Sequence, residues 1–195
     1  AQVKTYGDST LGNTAFTSSG LQNSETIGTA TLATNATLST SNNHNVGSWV
    51  ITPSSATGGT FTIANYSVTY ATAAHTVNTK TLTVTGITAT AKNYVGLTNN
   101  GTTYLNLGSA AFSGLVTNDI CTIGTGSVTG SYNSASAGTT FIQVSGVSKS
   151  GTDNANYSIT QPTVSAVINQ RALTVTATAQ VKTYGDSTLG NTAFT

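Results

Sequence analysis

Two stretches of the sequence decide the fold: ANYSVTYATAAHTVNTKTLTVT at residues 64–85 and ANYSITQPTVSAVINQRALTVT at residues 155–176. They align without a gap and start 91 residues apart. Each ends in Leu-Thr-Val-Thr, which alternates apolar and polar side chains with the period of two that a half-buried β-strand requires. Two copies of one strand-forming segment indicate that the chain repeats an all-β module of about 90 residues.

A longer repeat encloses these two segments. Residues 1–17, AQVKTYGDSTLGNTAFT, recur unchanged at 179–195, which gives a period of 178 residues. Self-similarity at a fixed period is typical of a tandem array. We therefore expect that two related modules alternate, and that the chain is a window cut from a longer polypeptide.

Short runs with strand-like patterning alternate with turn clusters rich in Ser, Asn and Gly, and no segment has helical periodicity. The predicted strands include Trp49–Thr52, Tyr66–Tyr70, Leu82–Thr85, Phe141–Val144, Val164–Ile168 and Leu173–Thr176. Such a series predicts β-sandwich modules. In these sandwiches, Tyr66 and Tyr157 occupy equivalent positions and are expected in the core with their hydroxyls bonded to the backbone.

The segments between modules lack a flexible linker. Strand-like patterning continues through Val77–Leu82 and Ile168–Leu173, without a Gly/Ser-rich or Pro-rich stretch. We expect a strand to leave one module and enter the next almost directly. This predicts modules joined end to end in a semi-rigid array.

The composition excludes several classes of protein. The net charge is +1 and only 6% of the 195 residues are charged, while 37% are hydrophobic. Scattered basic residues disfavour a nucleic-acid surface, and the hydrophobic content is too high for a disordered stalk. No apolar run is long enough to predict membrane insertion in this segment.

No motif for catalysis, a metal or a cofactor stands out. His44 lies in a polar turn and His75 in a predicted strand, and the sister module has Ala166 in place of His75, so the shared fold does not need that histidine. Both histidines are interpreted as solvent-facing or hydrogen-bonded rather than catalytic. The acids are few and form no Asp-x-Asp calcium pattern. Cys121 is expected to be a small buried hydrophobe, with a cross-link between chains as the alternative. We expect that the protein is not an enzyme.

The lysines raise one further hypothesis. Lys4, Lys92 and Lys182 recur at one position of the modules. Surface immunoglobulin-like domains sometimes join Lys to Asn through an isopeptide bond with the help of a buried acid. The alternative is that the lysine stems cover apolar surface while the ammonium groups stay in water.

A family resemblance rests on the recurring motifs, which are Lys-x-Tyr (Lys4/Tyr6, Lys92/Tyr94, Lys182/Tyr184), Ser-Gly-Leu followed by an acid (Glu25, Asp119), ANYS, and (K/R)-x-LTVT. Together they resemble the bacterial immunoglobulin-like modules called MBG and YDG domains. Residues 1–79 resemble MBG, 80–170 resemble YDG, and 171–195 resemble the start of the next repeat. One departure is Val95-Gly96 after Tyr94, where the name YDG implies Asp-Gly. The resemblance implies an extracellular β-sandwich with a scaffold role and supplies no catalytic residue.

Two functions follow from this resemblance. In the first, the chain is a stalk or scaffold segment of a large bacterial surface adhesin, whose distal ligand the sequence does not name. In the second, the array assembles into an extracellular filament, sheath or matrix fibre through homotypic lateral contacts, which low charge and exposed strand edges favour. In both, the expected partners are neighbouring repeats of the same chain.

Overall fold

The computed structural model describes residues 1–8 and 16–185. These residues form β-strands, three short 3-10 turns and connecting loops. The expected all-β fold is thereby confirmed. Within the described residues we find no helical segment with the length and hydropathy that a membrane crossing requires.

The first module is built on one four-stranded sheet. Its strands are β1 (Gln2–Thr5), β2 (Ile27–Thr34), β3 (Gly47–Gly59) and β4 (Ala73–Asn78). They lie in the order β1-β4-β3-β2, with β1 parallel to β4 and the other neighbours antiparallel. Successive side chains of a strand point to opposite faces, and in β4 this places His75 and Val77 on the buried face.

The second module is a two-sheet sandwich. Its strands are β5 (Lys80–Thr85), β6 (Thr88–Ala89), β7 (Lys92–Asn93), β8 (Leu105–Asn106), β9 (Ala111–Ser113), β10 (Thr122–Gly124), β11 (Thr129–Tyr132), β12 (Gly138–Ser145), β13 (Ser148–Ser150), β14 (Tyr157–Thr160) and β15 (Thr163–Asn169). The sheet β11-β12-β15-β7 packs against the sheet β14-β5-β9, and the pairs β10-β13 and β6-β8 complete the module. Its core includes Ile142, Val144 and Ile168 from the first sheet, against which Val84 and Phe112 of the second pack. The immunoglobulin-like arrangement of the modules stays a prediction.

The two modules follow each other with a single intervening residue. Strand β4 ends at Asn78 and β5 begins at Lys80, so only Thr79 separates them. The first strand belongs to the sheet of the first module and the second to a sheet of the second module. The sequence expectation that a strand runs almost directly from one module into the next agrees with this arrangement.

Two of the predicted strands are wrong. Residues 66–70 and 173–176 are not strands in the structure. Their counterparts in the second module, β14 and β5, pair with each other in parallel. A strand needs a hydrogen-bonding neighbour, and the described residues provide none beside 66–70 or 173–176. The core position predicted for Tyr66 is likewise wrong, because this side chain is only half-buried.

Candidate functional site at the junction of the modules

An apolar cluster joins the two modules. Its fully or nearly buried members are Tyr6 and Val77 from the first module and Leu82, Cys121 and Tyr157 from the second. The rings of Tyr6 and Tyr157 meet edge to face, with centroids 5.3 Å apart, which is a favourable aromatic geometry. The modules therefore share one small core across their boundary.

A carboxylate lies over this cluster and binds both tyrosines. The hydroxyl of Tyr6 donates to Oδ2 of Asp119 at 2.6 Å, and the hydroxyl of Tyr157 donates to the same oxygen at 2.5 Å. The backbone N–H of Val116 donates to the Tyr157 hydroxyl at 2.9 Å, so the predicted backbone anchor of Tyr157 is confirmed. Hydrogen bonds to a carboxylate are among the stronger ones in proteins, and this pair ties the first module to the second.

The backbone next to Tyr6 fits closely against the second module. Gly7 has a φ of +85°, and a Cβ atom at this position would lie 2.7 Å from Cγ2 of Val116. Glycine meets both requirements, since it adopts positive φ without strain and has no Cβ. The close contact with the second module therefore explains why a glycine follows Lys-x-Tyr at the end of β1.

A second set of polar contacts connects a loop of the first module to the second module. Asp153 is 2% exposed and accepts hydrogen bonds from the backbone N–H of Ile120 at 2.8 Å, from the backbone N–H of Thr40 at 3.2 Å and from the Thr40 hydroxyl. Burial raises the pKa of Asp153, but the hydrogen bonds from Thr40 and Ile120 lower this pKa by a larger amount. The pKa of Asp153 therefore lies below its ordinary value. The ionised form of Asp153 is the one that the junction holds.

An asparagine adds the third polar contact. The side-chain oxygen of Asn156 accepts a hydrogen bond from the backbone N–H of Val46 at 2.9 Å, and its amide donates to Oδ1 of Asn45 at 2.8 Å. Asn156 is 3% exposed, so both bonds form away from water. The junction therefore combines an apolar centre with polar contacts that specify one orientation.

The histidines and the cysteine lie near this junction and have structural surroundings. His75 is fully buried, and its Nε2 lies 3.1 Å from Nδ1 of His44. Burial is the main cause that lowers the pKa of both histidines, which favours the neutral rings. Cys121 is a free, buried thiol in the apolar cluster, as the sequence predicts, and burial raises its pKa. Among the described residues, no three potential ligands lie together as a metal ion would need.

The recurring lysines differ between the modules. Nζ of Lys4 donates to the backbone oxygen of Asp8 at 3.0 Å. Lys92 is 3% exposed, and its Nζ donates to the backbone oxygen of Leu97 and to Oδ1 of Asn100, both at 2.8 Å. Its ammonium also lies 3.9 Å from the ring centroid of Tyr132. Burial lowers the pKa of Lys92, and no acid is among the causes of that shift.

Lys92→Met is expected to destabilise the second module by about 2 kcal/mol, because the Leu97 carbonyl and the Asn100 side chain lose a charged donor while an apolar stem is retained. Urea unfolding followed by fluorescence measures this change. Lys182→Met is the matched control, since Lys182 is exposed, and it is expected to change stability by less than about 0.5 kcal/mol. Equal effects of the two substitutions would contradict a structural role of the Lys92 contacts.

The raised pKa values of Tyr6 and Tyr157 predict that the protein loses stability at alkaline pH. Burial, together with the bond to Asp119, raises the pKa of Tyr6 and Tyr157 above the ordinary value. Stability from a raised pKa is complete below the unfolded value of about 10 and is lost as pH rises towards the folded value. We expect the free energy of unfolding to fall from pH 9 to pH 11, more steeply in the wild type than in Tyr6→Phe/Tyr157→Phe. Parallel slopes would contradict this assignment.

The sequence contains the motifs of the junction but does not indicate their roles. Asp119 is the acid that follows Ser-Gly-Leu, and Tyr157 is part of ANYS, 38 residues further along the chain. The signal was present in the repeat itself, because both modules pair an acid with a tyrosine, Glu25 with Tyr66 and Asp119 with Tyr157. No sequence signal placed Thr40 or Asn45 opposite the second module, since these contacts join loops distant in sequence.

Comparisons with known proteins match both modules. Residues 1–76 match the model of the MBG domain (YGX type), and residues 78–166 match the model of the YDG domain. No curated protein and no solved structure shows significant similarity to the chain.

Proposed function

The chain belongs to the MBG and YDG repeat domains, with an MBG domain followed by a YDG domain, and on this premise we propose that it is a stalk or scaffold segment of a large bacterial surface adhesin. Such domains indicate a repeat unit of a surface-type protein. The proposal places the chain outside the cell and assigns it no catalytic activity. Its role is to hold a distal binding region at a distance from the surface.

The junction is the observation that carries this proposal. A single residue, Thr79, separates the modules, and Tyr6, Asp119 and Tyr157 bind across the boundary. A flexible linker would let the modules rotate independently, whereas a shared core with buried hydrogen bonds fixes one angle between them. If every boundary is held in this way, the array is stiff, and a stiff array suits a spacer.

Composition supports the same role. The chain has few charges, and buried polar side chains such as Asp153 and Asn156 serve contacts between the modules. The hydroxyl groups of Thr and Ser keep the surface wet without creating strong fields. These properties support a structural segment with neighbouring repeats as its main partners.

Negative-stain electron microscopy with sedimentation tests the proposal on a chain of two 178-residue periods. Thin, straight, monomeric rods are the expected result. A control chain carries Asp119→Ala in each period, and we expect more bent particles and a lower frictional ratio from it. Flexible beads in the unmodified chain would contradict the stalk.

The alternative is a filament built by lateral association. The outer face of β12 and β15 favours it, because Phe141 is 52% exposed and Val167 43% exposed there. Exposed apolar side chains on a sheet with little charge promote contact between chains. In the same micrographs, ordered bundles would support the filament, and Phe141→Ser would be expected to dissolve them.

A further inference from the structure

One loop of the MBG domain, residues 38–46, makes several of the polar contacts with the YDG domain, and we call it the docking loop. Near its middle, the backbone N–H of Thr40 donates to Asp153 at 3.2 Å. At its end, the backbone N–H of Val46 donates to Asn156 at 2.9 Å. The position of the docking loop therefore decides whether these contacts between the modules form.

A pair of histidines fastens the docking loop to the sheet of its own domain. His44 forms an isolated antiparallel bridge with Leu38, which closes the loop. Nδ1 of His44 lies 3.1 Å from Nε2 of His75 in β4, and the two rings meet edge to face with centroids 5.3 Å apart. His75 is fully buried, so the loop is anchored in the interior of the domain. Val46 follows His44 after one residue, and a displacement of His44 therefore reaches the junction directly.

The contact between the two rings has room for one proton. One of the facing nitrogens donates and the other accepts. Once both rings are charged, two N–H groups face each other and the hydrogen bond is lost. The second nitrogen of His75, Nδ1, is buried and has no hydrogen-bond partner among the described residues. A charged His75 therefore lies in a place that provides no acceptor for this nitrogen, and burying such a charge is costly.

The charges that act on the pair are positive. The ammonium of Lys4 in β1 acts on both rings, and His44 acts on His75. The neighbouring strands β2 and β3 contain no ionisable side chain. Three acids of the adjoining segments accept hydrogen bonds from other groups: Asp8, Asp119 and Asp153. A proton on either ring is therefore repelled by its surroundings.

These surroundings lower the pKa of both histidines. Burial is the larger cause for His44, followed by Lys4, while burial, His44 and Lys4 lower the pKa of His75 in that order. A released loop binds protons more readily than the closed one. Stability from a lowered pKa is complete above the unfolded value of about 6.5 and is lost as pH falls towards the folded value. Mild acid therefore favours release of the loop.

We propose that the His44–His75 pair is a pH-sensitive latch, which in mild acid takes up protons, opens, and lets the docking loop leave the YDG domain. Thr40 and Val46 then lose their partners across the boundary, and the angle between the modules is less restricted. The latch goes beyond the proposed role as a spacer, because it sets the condition under which the array is stiff. It depends on the junction alone and applies to a stalk or a fibre alike.

Hydrogen exchange of single backbone amides, followed by NMR on the full chain, tests the latch. The N–H groups of Thr40 and Val46 bond across the junction, whereas that of Tyr132 bonds to Thr98 within the YDG domain. We expect the protection factors of Thr40 and Val46 to fall roughly tenfold between pH 7.5 and pH 5, while that of Tyr132 stays constant. Protection factors are ratios to the intrinsic rate at each pH, so the ordinary pH dependence of exchange cancels.

The histidines are the side chains that titrate in this range. The chain contains two histidines, and both belong to the pair, whereas carboxyl and lysine groups have ordinary pKa values outside it. The imidazole proton signals of the same samples report the protonation of each ring. We expect their midpoints to lie below about pH 6.5 and to coincide with the loss of protection at Val46.

Two variants separate the latch from general destabilisation by acid. His44→Gln/His75→Ala removes both titrating rings, and alanine is the residue at the equivalent position of the YDG domain, Ala166. We expect its protection at Val46 to be the same at pH 7.5 and pH 5. Lys4→Gln keeps the rings and removes a repelling charge, so the loss of protection is expected at lower pH. Lys182→Gln is the matched control, because Lys182 is exposed in the copy of the same sequence, and it should leave the midpoint unchanged.

Four results would overturn the latch: constant protection at Val46 in the wild type, equal losses in the wild type and the histidine variant, equal losses at Val46 and Tyr132, or an unshifted midpoint in Lys4→Gln. The last of these decides the matter if the histidine variant fails to fold. None of them affects the stalk, which is tested by the shape of particles at neutral pH. Flexible beads at neutral pH would instead remove the stalk, and amide exchange would still decide the latch.

Discussion

Tyr6→Ala is expected to lower the free energy of unfolding by about 3–5 kcal/mol, the usual cost of deleting a large buried aromatic side chain. Tyr6 is fully buried between the modules, and its hydroxyl bonds to Asp119. The substitution therefore removes contacts that couple the two modules. We expect the single cooperative unfolding transition of the wild type to separate into two transitions. Calorimetry measures this, and proteolysis near Thr79 should accelerate.

The repeat supplies a matched control. Tyr184 has the same neighbours in sequence as Tyr6 but is fully exposed. Tyr184→Ala is expected to change stability by less than about 0.5 kcal/mol. A Tyr6→Ala protein that still unfolds in a single transition at an unchanged temperature would show that the junction does not couple the modules.

Asp153→Ala is expected to cost about 3 kcal/mol, because the backbone N–H groups of Thr40 and Ile120 lose a charged acceptor. Asp153→Asn keeps one acceptor oxygen and is expected to cost about half as much. Urea unfolding at pH 7 measures both. Asp8→Ala is the control, since Asp8 is exposed, and it should cost less than about 1 kcal/mol.

The same carboxylate predicts how stability depends on acid. Burial raises the pKa of Asp153, but the hydrogen bonds from Thr40 and Ile120 outweigh burial and hold this pKa below its ordinary value. A depressed pKa contributes stability that is present above the unfolded value and is lost as pH falls through the folded value. The wild type should therefore lose stability below about pH 4 more steeply than Asp153→Asn. Identical acid profiles would show that Asp153 is not ionised in the junction.

The sequence predicted the parts of the fold that a repeat and a period of two can reveal. The strands predicted at Leu82–Thr85, Phe141–Val144 and Val164–Ile168 lie in β5, β12 and β15. The direct passage from β4 to β5 was also visible, because no linker composition intervenes. These features depend on local patterning, which a single sequence contains.

The predictions of strands at 66–70 and 173–176 are wrong because local patterning does not show whether a strand has a pairing neighbour. Their side chains alternate as well as those of β14 and β5, but a strand also needs a neighbour to receive its hydrogen bonds. The burial of Lys92 was equally hidden, since its acceptors come from a loop and its aromatic partner, Tyr132, from a strand forty residues away. Pairing partners are a property of the folded chain.

The parallel pairing of β1 with β4 determines how the first module would respond to tension. A pull along the array draws β1 towards its N-terminal end and β4 towards its C-terminal end, so the two strands slide in opposite directions past each other. Their four register pairs, from Gln2 with His75 to Thr5 with Asn78, then bear the load together rather than one after another. We therefore expect a module loaded in this way to rupture at a higher force than one whose strand pairs open in sequence.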